Sequence, residues 1–397
     1  MQAVIAVPEQ SVLRDYHDAE GVLTRPIGGV PLLVRVGATA LRAGAESLLV
    51  IWPQDVDQSI WNRCAASPLL HGLEITLIAC PFDPHKPSSW ATIADALAEK
   101  FLWLPWNLVM HKQNIPAFLV EKPAPNGPVP PFPYPLGGVL IEPRTRTAEA
   151  ERFLVAGSGK PTDGIYSRFN RWLCRPAVRI LTHMGITPNW VTLGGLLVGI
   201  LAALNFARGF YAAYVAGALL FFLSGLFDEA DGMLARIEFR ESVFGTWFEG
   251  FVDEATYLLV FGGITLGLYR EHGSRELIYG CLLLMGCTLS IIVTRLQRKA
   301  ATSPDRPHEY AGRLNQLLET DSNLVMRIVR QVHIFIKKGV AVHYLLIFTV
   351  LGGLPLLLRL AALGANLTWT IALYFNLRYF RRPKTGAGAV QIAKETL

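Results

Sequence analysis

The sequence predicts two parts of different kind: an α/β cytosolic domain with a mostly parallel sheet over residues 1–150, and an all-α domain of six transmembrane helices over residues 190–382. Three observations predict it. Hydrophobic residues make up 51% of the chain and charged residues only 17%, below the roughly 25% typical of soluble domains. Apolar runs long enough to cross about 30 Å of hydrocarbon occur only after residue 190. Before residue 150, short β-rich runs alternate with amphipathic stretches, the pattern of a parallel sheet with helices on both faces.

In the first part, strands are expected over residues 3–8, 47–53, 74–81, 101–109 and 138–143, and helices over 31–45, 54–65 and 88–100. The chain opens on the strand-like AVIAVP with no basic stretch leading into a long apolar run, so no cleavable signal is expected and this domain is expected in the cytosol. The proline-rich KPAPNGPVPPFPYP at 122–135 can continue neither a helix nor a central strand and reads as an extended loop. Residues 151–189 form a linker with an amphipathic helix, in which Arg168, Arg171, Arg175 and Arg179 interleave with Phe169, Trp172, Leu173 and Leu181. That pattern suits a helix lying on a membrane surface, and also an ordinary linker helix.

Six spans are expected over 190–207, 211–236, 244–268, 276–296, 340–359 and 363–380. Most basic residues then fall on one side: before the first span, at 236–240, in the long 295–338 connection and at 381–384. The excess of positive charge puts both termini in the cytoplasm, with the protein in the cytoplasmic (inner) membrane. Residues 323–338 have the spacing of a surface helix, and residues 383–397 read as a flexible tail. The net charge of +6 is accounted for by these flanks, so no nucleic acid partner is expected. The five cysteines show no CxxC pair or ligand-like spacing and read as small core residues.

Carboxylates inside a span cost about 2.5–3.5 kcal/mol each on insertion, which makes them functional candidates. Two adjacent spans hold Asp228, Glu229, Asp231, Glu249 and Asp253. Asp228 and Asp231 share one helical face, while Gly245, Glu249 and Asp253 repeat every four residues on the next helix. Asp228, Asp231, Glu249 and Asp253 can meet near the inner leaflet, where their repulsion is relieved by protonation or by a cation. All-oxygen ligands favour a hard ion such as Mg²⁺, Mn²⁺ or Ca²⁺. Gly232 and Gly245 leave room for a ligand, and Arg236, one turn beyond Gly232, can meet a phosphate. The set suits metal-assisted phosphoryl transfer. An ion-coupled transporter and a catalytically impaired membrane anchor for the cytosolic domain are the other readings.

The series Asp228-x-x-Asp231-Gly232-x-x-Ala235-Arg236, eight residues, Gly245-x-x-x-Glu249-x-x-x-Asp253 resembles the signature of the CDP-alcohol phosphotransferases, D-x2-D-G-x2-A-R-x8-G-x3-D-x3-D. Every spacing agrees, with Glu249 where the family usually has Asp. The stretch Ile186-Thr187-Pro188-Asn189-Trp190-Val191-Thr192 is similar to the one that opens the first span in that family. The resemblance implies transfer of a phosphatidyl or similar phosphoalcohol group from a CDP-alcohol to a hydroxyl, with release of CMP, in phospholipid or phosphodiester solute synthesis. It implies that Mg²⁺ (or Mn²⁺) binds Asp228, Asp231, Glu249 and Asp253, and that Asp253 is the base. Around the CDP moiety it implies Asp228, Asp231, Gly232, Ala235, Arg236, Gly245, Thr187 and Asn189. The donor is CDP-diacylglycerol or a soluble CDP-alcohol, the acceptor a hydroxyl compound or phosphorylated polyol. Arg295, Arg298 and Lys299 suit an acceptor phosphate or, as a solvated cluster, set topology.

The first half, through PIGGVPLLVRVGATALRAGAESLLVI at 26–51, resembles the opening of sugar-phosphate nucleotidyltransferases. The combination is similar to fusions of inositol-phosphate cytidylyltransferase with di-inositol-phosphate-phosphate synthase. An active nucleotidyltransferase needs a Gly-rich loop after the first strand. Here Val7-Pro8-Glu9-Gln10-Ser11-Val12-Leu13-Arg14 has no glycine, and Asn107 stands where the family's metal-binding Asp is expected. A degenerate domain that positions, regulates or forms a homodimer is expected.

Overall fold

The computed structural model describes residues 1–124, 127–130, 137–159, 164–301, 338–375 and 377. The chain divides into two units, one of Met1–Pro188 with Glu229–Ser242 and one of Asn189–Asp228 with Val243–Leu397.

In the first unit, strands β1 (Gln2–Ala6), β2 (Pro26–Ile27), β3 (Val30–Pro31), β4 (Ser47–Trp52), β5 (Glu74–Ala79), β6 (Lys100–Pro105), β7 (Leu108–Met110), β8 (Leu119–Glu121) and β9 (Gly138–Leu140) are joined by short helices. The main sheet has the order β5-β4-β1-β6-β8, parallel except for β8. Its strands are apolar on both faces, as a doubly covered parallel sheet requires. Val4, Leu49, Ile51, Phe101 and Trp103 pack with Phe82, Trp90, Ile93 and Leu97. Their neighbours Ile5, Leu48, Val50, Leu102 and Leu104 pack on the other side with Leu32, Leu33 and Val36.

The helices of this unit are α1 (Gln10–Leu13), α2 (Gly21–Thr24), α3 (Leu32–Arg42), α4 (Gln58–Ala65), α5 (Pro87–Thr92), α6 (Thr147–Ala156) and α7 (Ile165–Met184). Asp57 caps α4 by accepting from the Ser59 amide at 2.9 Å, which fixes its start later than expected. The expected helix over 88–100 is cut short. Gln2 donates from its side-chain amide to the Ala96 carbonyl at 2.9 Å and accepts from the Ala98 amide at 2.8 Å, replacing the bonds a longer helix would make. The expected strand over 101–109 is broken at Trp106 and Asn107 into β6 and β7, and β7 leaves the main sheet to pair antiparallel with β9. Of the proline-rich loop, residues 125–126 and 131–135 lie outside the described residues, and the remainder holds no helix or strand.

The second unit holds α8 (Pro188–Phe206), the first part of α9 (Tyr211–Ile237), α10 (Val243–His272), α11 (Ser274–Ala301), α12 (Lys338–Val350) and α13 (Leu354–Phe375). Five helices, α8 to α11 and α13, are long and apolar enough to cross a membrane; the apolar stretch of α12, Val340–Val350, is shorter. This corrects the boundaries of the last two expected spans. The turn between them lies at 351–353, where Gly352 has φ 72° and the Gly353 amide bonds to the Phe348 carbonyl at 2.7 Å, rather than at 360–362. Arg359 consequently lies inside α13, paired with Glu276 of α11. Of the expected surface helix over 323–338, residues 323–337 lie outside the described residues, as does the tail over 383–397.

The helices of this unit approach closely through small residues. A Cβ on Gly263 would stand 2.3 Å from the Ala203 carbonyl oxygen, and one on Gly267 2.0 Å from that of Phe206. Backbone contact of this kind is how apolar helices pack where lipid removes the hydrophobic drive between them.

Candidate active site

Helix α9 carries Asp228, Asp231, Gly232, Ala235 and Arg236, and α10 carries Gly245, Glu249 and Asp253. Thr187 immediately precedes α8, whose first residue is Pro188, and Asn189 follows in its first turn. Asp231 is buried, and Asp228, Glu249 and Asp253 are half-buried.

In the second unit, α9 and α10 meet through Phe221 and Tyr257, whose rings stand edge to face at 5.8 Å. Tyr257 lies within electrostatic reach of both Asp228 and Asp253, which links the two helices around one centre. Tyr257 was not singled out from the sequence, although it continues the four-residue repeat of Gly245, Glu249 and Asp253. Among the described residues, no group of three or more His, Cys, Asp or Glu side chains is gathered closely enough to hold a metal ion. The donor chemistry of these carboxylates suits a hard divalent cation.

In the first unit, the end of α9 is tied down. Arg236 donates from Nε to the Ser158 carbonyl at 2.6 Å, and Ser158 Oγ donates to the Val155 carbonyl at 2.8 Å. The Arg236 guanidinium folds back over Gly232, where an added Cβ would stand 3.3 Å from Nη1. Glu229 pairs with Arg171 of α7 at 2.8 Å, with both side chains about nine-tenths buried at 12% and 11% exposure. The arginine series on α7 is therefore not spent on one face alone. Ile165, Phe169, Trp172, Ile180 and Met184 form its exposed apolar side, while Arg171 turns inward.

Of the basic residues after the fourth expected span, Arg295 makes a two-armed pair with Glu254, the neighbour of Asp253; one arm, from Nε, is 3.2 Å. The side chains of Arg298 and Lys299 lie outside the described residues.

The half-buried acids stand on two apolar helices long enough to cross a membrane, and the comparison with known proteins gives this stretch a family. Residues 185–352 match the CDP-alcohol phosphatidyltransferase family, and the chain carries a domain of that family there. Two curated relatives are similar to it. The archaetidylinositol phosphate synthase of Methanothermobacter thermautotrophicus is 32% identical over 98 residues, 23% of this chain and 49% of the relative. The archaetidylinositol phosphate synthase of Pyrococcus horikoshii is 29% identical over 89 residues, 22% of this chain and 46% of the relative. The chain thus spans about half the length of the curated relatives it matches.

Proposed function

We propose that this protein is a CDP-alcohol phosphotransferase of the cytoplasmic membrane, with both termini in the cytoplasm, that joins a lipid phosphoalcohol group to a phosphorylated polyol and releases CMP. The observation that carries this reading is the fixed spacing of Asp228, Asp231, Gly232, Ala235, Arg236, Gly245, Glu249 and Asp253 on α9 and α10, inside the stretch that matches the family. The relatives are named for archaetidylinositol phosphate, which favours an inositol phosphate as the acceptor.

In this reading Asp253 accepts the proton of the acceptor hydroxyl as its oxygen attacks the phosphorus that bears the donor alcohol. The bond from that phosphorus to the bridging oxygen breaks, and CMP leaves with that oxygen. Arg236, Gly232, Ala235, Gly245, Thr187 and Asn189 hold the CDP moiety. A divalent cation, Mg²⁺ or Mn²⁺, held by Asp228, Asp231, Glu249 and Asp253, would neutralise the anhydride oxygens. Glu249 offers the same two oxygens as the usual Asp on a stem one methylene longer. Arg295, with Arg298 and Lys299, meets the acceptor phosphate, which displaces Glu254 from Arg295.

The first half serves the second without nucleotidyl transfer of its own. A chain of Asn107 bonds supports this: its side-chain amide donates to the Ile141 carbonyl at 2.8 Å, and its carbonyl accepts from the Ile141 amide at 2.9 Å. The test is CMP release from CDP-diacylglycerol or another CDP-alcohol by the purified full chain, with inositol phosphate supplied and the lipid product identified. Uptake of a cation or solute into vesicles with no nucleotide product would replace the enzyme by a transporter.

A further inference from the structure

Helix α9 closes on a turn that places a phenylalanine in the left-handed region. The Glu238 amide bonds to the Leu234 carbonyl and the Arg240 amide to the Ala235 carbonyl, each at 2.9 Å, and between them Phe239 has φ 58°. This is the Schellman way of ending a helix, with phenylalanine where glycine is usual. A residue with a Cβ is strained there. Such strain persists where the surroundings over-determine it.

The surroundings come from α3 of the same unit. Arg35 places its guanidinium over the Phe239 ring, 5.1 Å from the centroid. Arg42, two turns further along α3, donates to the Phe239 carbonyl at 3.1 Å and approaches Glu241 at 3.7 Å. The hairpin of β2 and β3 closes against the same turn: a Cβ on Gly28 would come 2.8 Å from Ile237 Cγ2, and one on Gly29 3.2 Å from Glu238 Oε1.

Arg35 is itself 1% exposed. It donates to the Ile27 carbonyl at 3.0 and 2.6 Å and to the Gly28 carbonyl at 3.2 Å. Burial pulls its guanidinium down to about 9, opposed by Glu238 and Glu151, so it stays charged at neutral pH. A cation buried this deeply is costly unless its bonds are complete. Its neutral bonds end on the hairpin and its ring contact on Phe239, so its cost is offset by fixing one to the other. On the other flank, the Ser158 carbonyl holds Arg236.

We propose that Arg35 is a positioning residue for the transferase reaction: from within the sheet domain it keeps Phe239 in the left-handed conformation and thereby sets the direction of Arg236 toward the CDP moiety. The inference rests on the reading that Arg236 meets the donor. The degenerate half thereby acquires a role, that of holding the end of the signature helix. Arg35 touches no reacting atom.

The experiment uses the full chain in detergent and compares wild type, Arg35→Met, Arg35→Lys, Phe239→Gly and the Arg35→Met/Phe239→Gly pair. Two measurements are made, the kinetics of CMP release and hydrogen exchange of the amides over 236–241. Arg35→Met is expected to raise the donor KM about tenfold with kcat changed less than about threefold, because orientation of a binding group is lost while the base is untouched. Its amides over 236–241 exchange faster. Arg35→Lys, which keeps the charge without the planar stack, falls between. Glycine at 239 adopts the left-handed region unaided, so Phe239→Gly in the Arg35→Met background restores the donor KM and slows exchange.

A merely structural role would lower the amount of active protein, and hence kcat, with KM unchanged and no restoration by glycine; that pattern overturns the proposal. Should Arg35→Met fail to fold, Arg42→Ala removes the second hold from an exposed position and is expected to show a smaller change of the same kind. If wild type releases no CMP, the transferase reading falls. Exchange over 236–241 then still decides whether Arg35 holds the turn, and unchanged exchange in Arg35→Met or Arg42→Ala rejects that role.

Discussion

At the end of β6 in the sheet domain, Asn107 is 9% exposed and exchanges bonds with Ile141 through both its side chain and its carbonyl. At the start of α1, the Gln10 amide, where a phosphate-binding loop would aim its donors, is taken at 2.9 Å by the carboxylate of Asp55. In the helical domain the acids stand in a different setting. Asp228, Glu249 and Asp253 stand half-buried on long apolar helices, where each carboxylate costs about 2.5–3.5 kcal/mol to insert. Polar groups bonded to their own backbone hold a fold, whereas carboxylates placed at a cost in an apolar helix are candidates for function. Fold alone does not carry function, and the setting of the polar atoms separates the two halves.

The contrast is broken most directly by removing the divalent cation proposed for the acids. Chelation of divalent cations is expected to abolish CMP release, with activity returned by Mg²⁺ or Mn²⁺; full turnover in the presence of chelator would show that the acids serve something else. Asp253→Asn keeps the shape and removes the base, and a loss of about 10²–10⁴-fold in kcat is expected. The same variant should still bind the CDP-alcohol, read as thermal stabilisation by the donor.

A second variant sharpens the contrast from the side of the sheet. Asn107→Asp supplies the residue type that the proposed resemblance to nucleotidyltransferases calls for there, yet a carboxylate cannot donate to the Ile141 carbonyl. The variant is expected to lose about 1–3 kcal/mol of stability, the cost of a buried acceptor left facing another acceptor. It should form no CDP-alcohol from CTP and a sugar or polyol phosphate. Gain of that reaction would mean that the domain is one substitution away from chemistry.

Much of this was legible in the residues. The strands β1, β4 and β5 follow from apolar runs bounded by Pro or Gly, and they begin within a residue of where the pattern puts them. The match over 185–352 falls on the stretch whose spacing carried the resemblance. What the sequence hid were events that depend on partners distant in the chain. The shortening of α5 depends on Gln2, ninety-four residues from the Ala96 carbonyl it bonds. The break of β6 from β7 depends on β9, which pairs with β7 some thirty residues on. The last turn of the helical domain was misplaced for a different reason. A run of leucines from 354 to 360 hides where one helix ends, and the Gly352-Gly353 pair was the signal that could have marked it. Arg35 and Phe239 were invisible as a pair, since no periodicity connects a helix of the sheet domain to a turn two hundred residues later.

The smallest expected effect tests whether the sheet domain holds its ionisable groups for structure alone. His111 is half-buried against α6, with its Nε2 at 3.5 Å from the Phe153 carbonyl and its ring 5.2 Å from that of Phe153. Burial lowers its pKa from the ordinary 6.5, the Phe153 carbonyl opposes that, and the nearby Arg35 charge adds to it. The unfolded chain therefore takes up this proton first as the pH falls. The contribution of His111 to stability is complete above about pH 6.5 and is lost as the pH drops through the lowered folded value. His111→Gln cannot take up the proton, so its melting temperature in detergent should fall less steeply between neutral and mildly acidic pH than that of wild type, by an amount worth less than about 1 kcal/mol. Equal slopes for the two proteins would place the acid sensitivity of this domain elsewhere. A change in donor KM on the same substitution would show that His111 acts on the transferase site through α6, which leads into Ser158, the residue whose carbonyl holds Arg236.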